Sequence, residues 1–260
     1  MSTPWAGGRF GSLAECLLAP NPGIMTLDGT NTWVLRADGR SVVVDPGPLD
    51  AGHLDAVRAA AGDIAAVLLT HGHEDHSEAA RSFAESVGCG VRALDPAHRL
   101  GDEGLRDGDV VAVDGLEVHV VGTPGHTSDS LCFVLPQERA VLTGDTVLGR
   151  GTTVVAHPDG KLGAYLDSLQ RLHALAEARE IQRVLPGHGP VIDDARAALD
   201  YYLSHRHERL EQVREALRTL GSGASARQVV EQVYTDVDPV LWGAAELSVR
   251  AQLDYLRGQA

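Results

Sequence analysis

Apolar residues in this chain recur with two periods. Residues 32–35 and 41–44 alternate as strands on either side of a turn at Ala37 to Arg40, and residues 110–113 pair with 116–121 across Asp114-Gly115, a hairpin pattern. Further short apolar runs at 64–69, 130–135, 140–142 and 183–185 are of strand length. Helical patterns stand between them: residues 54–61, residues 78–87, and Leu162, Tyr165, Leu166, Leu169 and Leu172 at helical spacing. Hairpins combined with helix-separated strands predict mixed sheets and an α/β (α+β) class.

After Pro190 the pattern becomes wholly helical. Asp193 can cap a long helix whose stripe is Leu199, Leu203, Leu210, Val213, Leu217 and Leu220, ended by Gly221 to Gly223. Ser225 with Gln228 forms a capping box for a second helix, and Asp238-Pro239 opens a third. The chain therefore divides into a catalytic domain, 1–195, and a C-terminal helical module, 196–260. Such a module suits either a helix-turn-helix role or packing on the main body, and packing is the expectation because apolar stripes usually face a core. Leu241, Trp242 and Leu247 belong either to that core or to the surface of a homodimer.

No apolar run approaches the roughly 18 residues of a membrane span, and residues 1–11 carry no basic-then-apolar leader, so a cytoplasmic protein without a membrane partner is expected. Cys16, Cys89 and Cys132 are odd in number and far apart, which argues against a disulfide framework or a cysteine zinc site; Cys132 reads as core.

The candidate chemistry lies in His71-Gly72-His73-Glu74-Asp75-His76, directly after the strand-like run 64–69. In an extended segment His71 and His73 face one side and can grip one ion, while Asp75 and His76 turn toward a second. Imidazole and carboxylate donors suit two Zn²⁺ best, with Fe or Mn as alternatives. Three more fragments each put one ligand type just past a short apolar run: Gly122 to Thr127 around His126, Thr143-Gly144-Asp145, and Pro186-Gly187-His188-Gly189. Glycine and proline there fix tight turns and clear side chains from places where backbone must pass near an ion.

With these fragments in this order, the sequence resembles the metallo-β-lactamase superfamily, whose His-x-His-x-Asp-His signature it matches in full. The resemblance implies a four-layered αβ/βα sandwich, followed here by a small, winged-helix-like helical module. It implies a binuclear site: His71, His73 and His126 on the first metal, Asp75, His76 and His188 on the second, Asp145 bridging both. Residues 21–33, 149–153, 186–190 and 204–206 further resemble the β-lactamase-like protein 2 branch, which includes single-strand-specific endoribonucleases. Relatives there carry a short β wing after the third helix, and Arg257 to Ala260 leaves no room for one. By the same likeness, Asn31, Arg150, Thr152, Thr153 and Arg206 line the substrate pocket, with an ordinary loop or cap role as the alternative for each. Asp45, at the end of an apolar run, reads either as a turn residue before proline or as the acceptor of a ligand histidine's second N–H.

The mechanism so implied is attack by a hydroxide bridging the two metals, with Asp75 or a displaced water managing the proton. Single-stranded RNA is the first substrate expectation, and the alternative is a small thioester or ester, as in hydroxyacylglutathione hydrolases or carrier-protein thioesterases. A β-lactam hydrolase and a metal-sensing nucleic-acid-binding regulator follow further behind. Charge weighs against a polyanion: the net is −14, and residues from Arg196 onward, eight Arg against nine Asp plus Glu, contribute only −1 of it. Lys161 is the sole lysine, so any phosphate clamp must be built from arginine.

Overall fold

The computed structural model describes residues 4–36, 38–235 and 237–258. The apolar runs become two mixed sheets. The first contains β1 (Gly8–Phe10), β2 (Ala14–Leu18), β3 (Asn31–Arg36), β4 (Ser41–Val44), β5 (Ile64–Leu68) and β6 (Gly90–Arg92) in that spatial order. The second contains β7 (Val110–Val113), β8 (Leu116–Gly122), β9 (Leu131–Leu135), β10 (Ala140–Gly144) and β11 (Arg183–Pro186), ordered β11-β10-β9-β8-β7. Hairpin neighbours pair antiparallel, whereas β4-β5, β5-β6 and β10-β11 are parallel, because a helical crossover precedes each later strand.

Strand alternation produces the layers. Trp33, Leu35, Val44 and Leu68 of the first sheet meet Val118, Phe133, Leu135 and Leu142 of the second in one core. The residues between them point the other way. Val34, Val43 and Val67 pack under α1 (Ala51–Ala61) and, beyond the four-residue helix α2 (Glu74–Ser77), under α3 (Ala80–Val87), where Val57 and Phe83 complete the layer. Val134, Val141 and Val184 pack under α4 (Leu162–Ala178) and the start of α5 (Ala195–Leu220), against Leu169, Leu172, Leu199 and Tyr202. The result is helix, sheet, sheet, helix. Fully burying each of these side chains contributes about 1.5–3 kcal/mol.

Helix α5 leaves the sandwich and carries the rest of the chain. Its distal residues Val213 and Ala216 form a second small core with α6 (Ala226–Val233) and α7 (Trp242–Gly258). Leu210 of α5 and Leu256 of α7 also close on Leu162 and Leu166 of α4, tying the module to the body. The α5 cap is Asp194, whose side chain accepts from Ala197 N, and not Asp193, which pairs with Arg183 at 3.2 Å. The capping box of Ser225 and Gln228 is present. Pro239 opens a short 3-10 turn, Pro239–Leu241, that leads into α7. Among the described residues no strand follows β11. No helix among them is long and apolar enough to cross a membrane.

Candidate metal centre

The candidate ligands converge at one edge of the sandwich, on the loops that follow β5, β8, β10 and β11. The run from His71 to His76 is not extended throughout, as the spacing predicted. β5 ends at Leu68, His73 is the N-cap of α2, and Asp75 and His76 lie within that single helical turn. The split between two ions survives for a different reason: the helical turn rotates Asp75 and His76 away from His71 and His73.

Two groups of donor atoms result, His71, His73, His126 and Asp145, and Asp75, His76 and His188. His73 Nδ1 is 3.0 Å from His71 Nε2 and 3.1 Å from His126 Nε2, and His76 Nε2 is 3.3 Å from His188 Nε2. Ligands about 2.0–2.1 Å from a tetrahedral ion stand roughly 3.3 Å apart, so these separations fit a shared cation. Asp145 stands between the groups, with Oδ2 3.7 Å from His126 Nε2 and 3.4 Å from His188 Nε2, and Oδ1 3.5 Å from His76 Nε2. Its Oδ1 is buried with no hydrogen-bond partner, a cost of about 1–3 kcal/mol that a bound cation would remove.

The outer nitrogens of four imidazoles are all engaged, which aims the inner ones. His126 Nδ1 donates to the Val154 carbonyl at 2.8 Å, and His188 Nδ1 to the Gly29 carbonyl at 3.1 Å. His76 Nδ1 lies 2.9 Å from Asp45 Oδ2, and the same carboxylate accepts from Thr70 N at 2.8 Å and Thr70 Oγ1 at 2.6 Å. Because the Thr70 hydroxyl proton goes to Asp45, its oxygen is left to accept from His71 Nδ1 at 3.0 Å. One buried aspartate therefore orients two histidines, one in each group, and Thr70 is the intermediary that no spacing argument identified. Asp45 does so from a left-handed backbone, φ 50°. Glycine is required where backbone passes between ligands: a Cβ on Gly187 would lie 2.6 Å from Asp145 Oδ1 and 2.8 Å from His76 Cε1.

Burial and charge set the protonation. Burial lowers the His76 imidazole, but Asp145, Asp45 and Asp75 outweigh it and hold it well above its usual value. His188 follows the same balance, with Asp145 foremost, and is pushed up to about 9. His71 and His126 are lowered, chiefly by burial. Asp75, which burial would raise, is brought down to about 2 by His76 and His188. A raised imidazole stabilises the fold fully below the unfolded value of 6.5 and loses that contribution as pH climbs through about 9. The metal-free protein is therefore expected to lose denaturant resistance between those limits. Metal binding displaces those protons, so the loaded protein should not follow that decline. A metal-free midpoint that rises with pH over this window would contradict the assignment.

Beside the two groups opens a cavity of about 330 Å³. His126 and Asp145 lie in its wall, together with Arg150, Thr152, Thr153 and Arg206. Asn31 does not reach it. Its fully buried side chain donates to the Pro186 and Gly189 carbonyls, both at 2.9 Å, and accepts from Trp5 Nε1 at 2.8 Å, which braces the loop that carries His188. Much of the remaining lining was invisible to sequence reasoning: Met25, Leu27 and Leu148 from the sandwich, and Val237, Leu241 and Ala245 from the C-terminal helices. The helical stripe signalled packing, and nothing in its spacing said which residues would be left facing a cavity.

Similarity to known proteins agrees with this geometry. The chain is 33% identical to the beta-lactamase-like protein 2 homolog of Caenorhabditis elegans over 238 residues, covering 85% of this chain and 76% of the other. It is also 33% identical to the atrochrysone carboxyl ACP thioesterase of Aspergillus fumigatus, covering 84% and 72%. In fold it is similar to a beta-lactamase domain protein from Burkholderia ambifaria, with a TM-score of 0.81 at 22% identity and coverage of 99% and 90%. Residues 25–188 match the profile of the Metallo-beta-lactamase superfamily, and the chain belongs to that superfamily.

Proposed function

We propose that this chain is a metal-dependent hydrolase that cleaves an ester or thioester of a largely apolar acyl group. The observation that carries the reading is the cavity: its wall includes His126 and Asp145, and most of the rest is apolar side chain. Pockets of this kind bind small apolar groups and orient them by a few polar contacts. A single-stranded nucleic acid asks instead for a basic groove with stacking platforms. Here Arg150 is paired with Asp28, the Arg209 guanidinium carbon lies 4.7 Å from the centre of the Tyr234 ring, and the chain carries a net charge of −14.

His71, His73 and His126 would hold one divalent ion, Asp75, His76 and His188 a second, and Asp145 would contact both; five imidazoles among seven ligands make zinc the preferred metal. Such a pair, when bound, acidifies a water and polarises a carbonyl or phosphoryl oxygen. The chain's own residues supply the frame. Asp45 and Thr70 lock two ligand rings, and the apolar lining excludes bulk water from the acyl side. Asp75 is held ionised by His76 and His188, which suits it to hold an ion. The outer nitrogens of His71, His76, His126 and His188 are already engaged, so these rings offer no acid for a leaving group. A thiolate, with a thiol pKa of about 8.5, departs without one, which favours thioesters over esters.

RNA cleavage is the second reading, supported by the 33% identity to a beta-lactamase-like protein 2 homolog and by the arginines in the cavity wall. Zinc-loaded protein should be assayed on acyl thioesters and on end-labelled single-stranded RNA, beside a His71→Ala variant that excludes contaminants. Thioester turnover by the wild type alone with intact RNA is the expected result. RNA cleavage without thioester turnover would reverse the order.

A further inference from the structure

Arg206 is 5% exposed, sits midway along α5 and lines the cavity. Its Nη2 donates to the Thr153 carbonyl, and its guanidinium carbon lies 4.9 Å from the centre of the Tyr165 ring. Its Nε has no hydrogen-bond partner, and no carboxylate among the described residues pairs with it. A guanidinium carries donors in a planar fork that matches a carboxylate, and burying it without a counter-ion is costly. The neighbouring arginines are provided for: Arg150 has Asp28, and Arg209 has the Gln212 side chain and the Val233 carbonyl.

The surroundings add to the demand for an anion. Thr153, which accepts from Arg206, donates its Oγ1 to the Asp145 carbonyl at 2.7 Å, and the adjacent Val154 carbonyl takes His126 Nδ1 at 2.8 Å. Arg206 therefore lies one short loop away from two of the candidate ligands. Two divalent ions would outweigh the charge of Asp45, Asp75 and Asp145, so the buried guanidinium adds to a site that is already positive.

We infer that Arg206 is the specificity-determining cation of this cavity, and that the acyl group taken here carries a carboxylate which binds its guanidinium. The inference rests on the acyl-hydrolase reading for the bond that is cleaved, but not for the anion site itself. The substrate class is a short dicarboxylic acid held as its mono-thioester: one end presents the thioester carbonyl to the ligand groups, and the other neutralises Arg206 across an apolar chain.

The test is a matched comparison on metal-loaded protein. Binding of succinate, glutarate and adipate is measured by calorimetry, each against the monoacid of equal length, so that a carboxylate on the metals is common to both. Turnover of the corresponding N-acetylcysteamine thioesters is measured in parallel. At one of these lengths the wild type should favour the diacid by ~10- to 100-fold, the range for charge-assisted hydrogen bonds. In Arg206→Gln that ratio should fall to about one, and Arg206→Lys, which keeps the charge and loses the fork, should restore part of it. A purely structural brace for residues 152–154 would instead lower metal content and all rates together and leave the ratio unchanged, which overturns the inference. So does a wild-type ratio near one at every length. If diacid preference appears in binding and depends on Arg206 while no thioester is hydrolysed, the acyl-hydrolase reading fails and the anion site stands.

Discussion

If the two donor groups each hold an ion as proposed, replacing Asp145 by alanine is expected to cost the protein at least one of them and ~10⁴-fold or more in turnover, the scale on which loss of metal-assisted attack is felt. The carboxylate reaches both donor groups, within 3.4–3.7 Å of His126, His188 and His76. It is held ionised, well below its usual range, by His188 and His76 despite burial that would raise it. Without it, His76 and His188 lose the main charge that keeps them raised, and a second dication would face the first with no shared anion between them. Elemental analysis and steady-state kinetics on the same preparation measure both effects. Two ions per chain with wild-type turnover would sink the bridging role.

Asp45→Asn should be the second most damaging change, although residue 45 touches neither candidate ion site directly. Asparagine tolerates the left-handed backbone at φ 50° and keeps the side-chain volume, so the substitution isolates the carboxylate's charge from its conformation. The amide can accept from Thr70 or face His76, but it cannot serve both as an anion does. His76 then loses the partner of its Nδ1, and His71 loses the Thr70 hydroxyl whose direction Asp45 sets. Outer partners of ligand histidines are typically worth ~10- to 100-fold in metal affinity. Because Asp45 serves a histidine in each group, both ions should weaken, and a competition titration with a chelator will show whether one step shifts or two. A shift confined to one step, or none, would mean that the Thr70 relay does not act. The unfolding midpoint of the metal-free variant separates a folding defect from a ligand defect.

The alternation of Val, Leu and Ile determines which strand face is buried and hence the two sheets and their helical covers, because side-chain direction in a strand is a local property with a period of two. The ligand set is equally local in origin: each member follows closely on the end of an apolar run, either beside a glycine-marked turn or, for Asp75 and His76, in the single turn of α2. Helix caps lie within a residue of their sequence positions, with Asp194 taking the place of Asp193 because only its side chain reaches Ala197 N. Other features depend on partners far away in the chain. Asn31 looks like a pocket residue until residues 186–189 fold over it and take its amide. Thr70 has no signal of its own until Asp45, just past the end of the neighbouring parallel strand, claims its proton. The cavity wall joins residues near 25, 150 and 240, and the unpartnered Nε of Arg206 arises where helix α5 packs on Tyr165 with no acid opposite among the described residues. Local periodicity can encode where a side chain points, but the space left between elements, and the charge left uncompensated in it, exists only once those elements have packed.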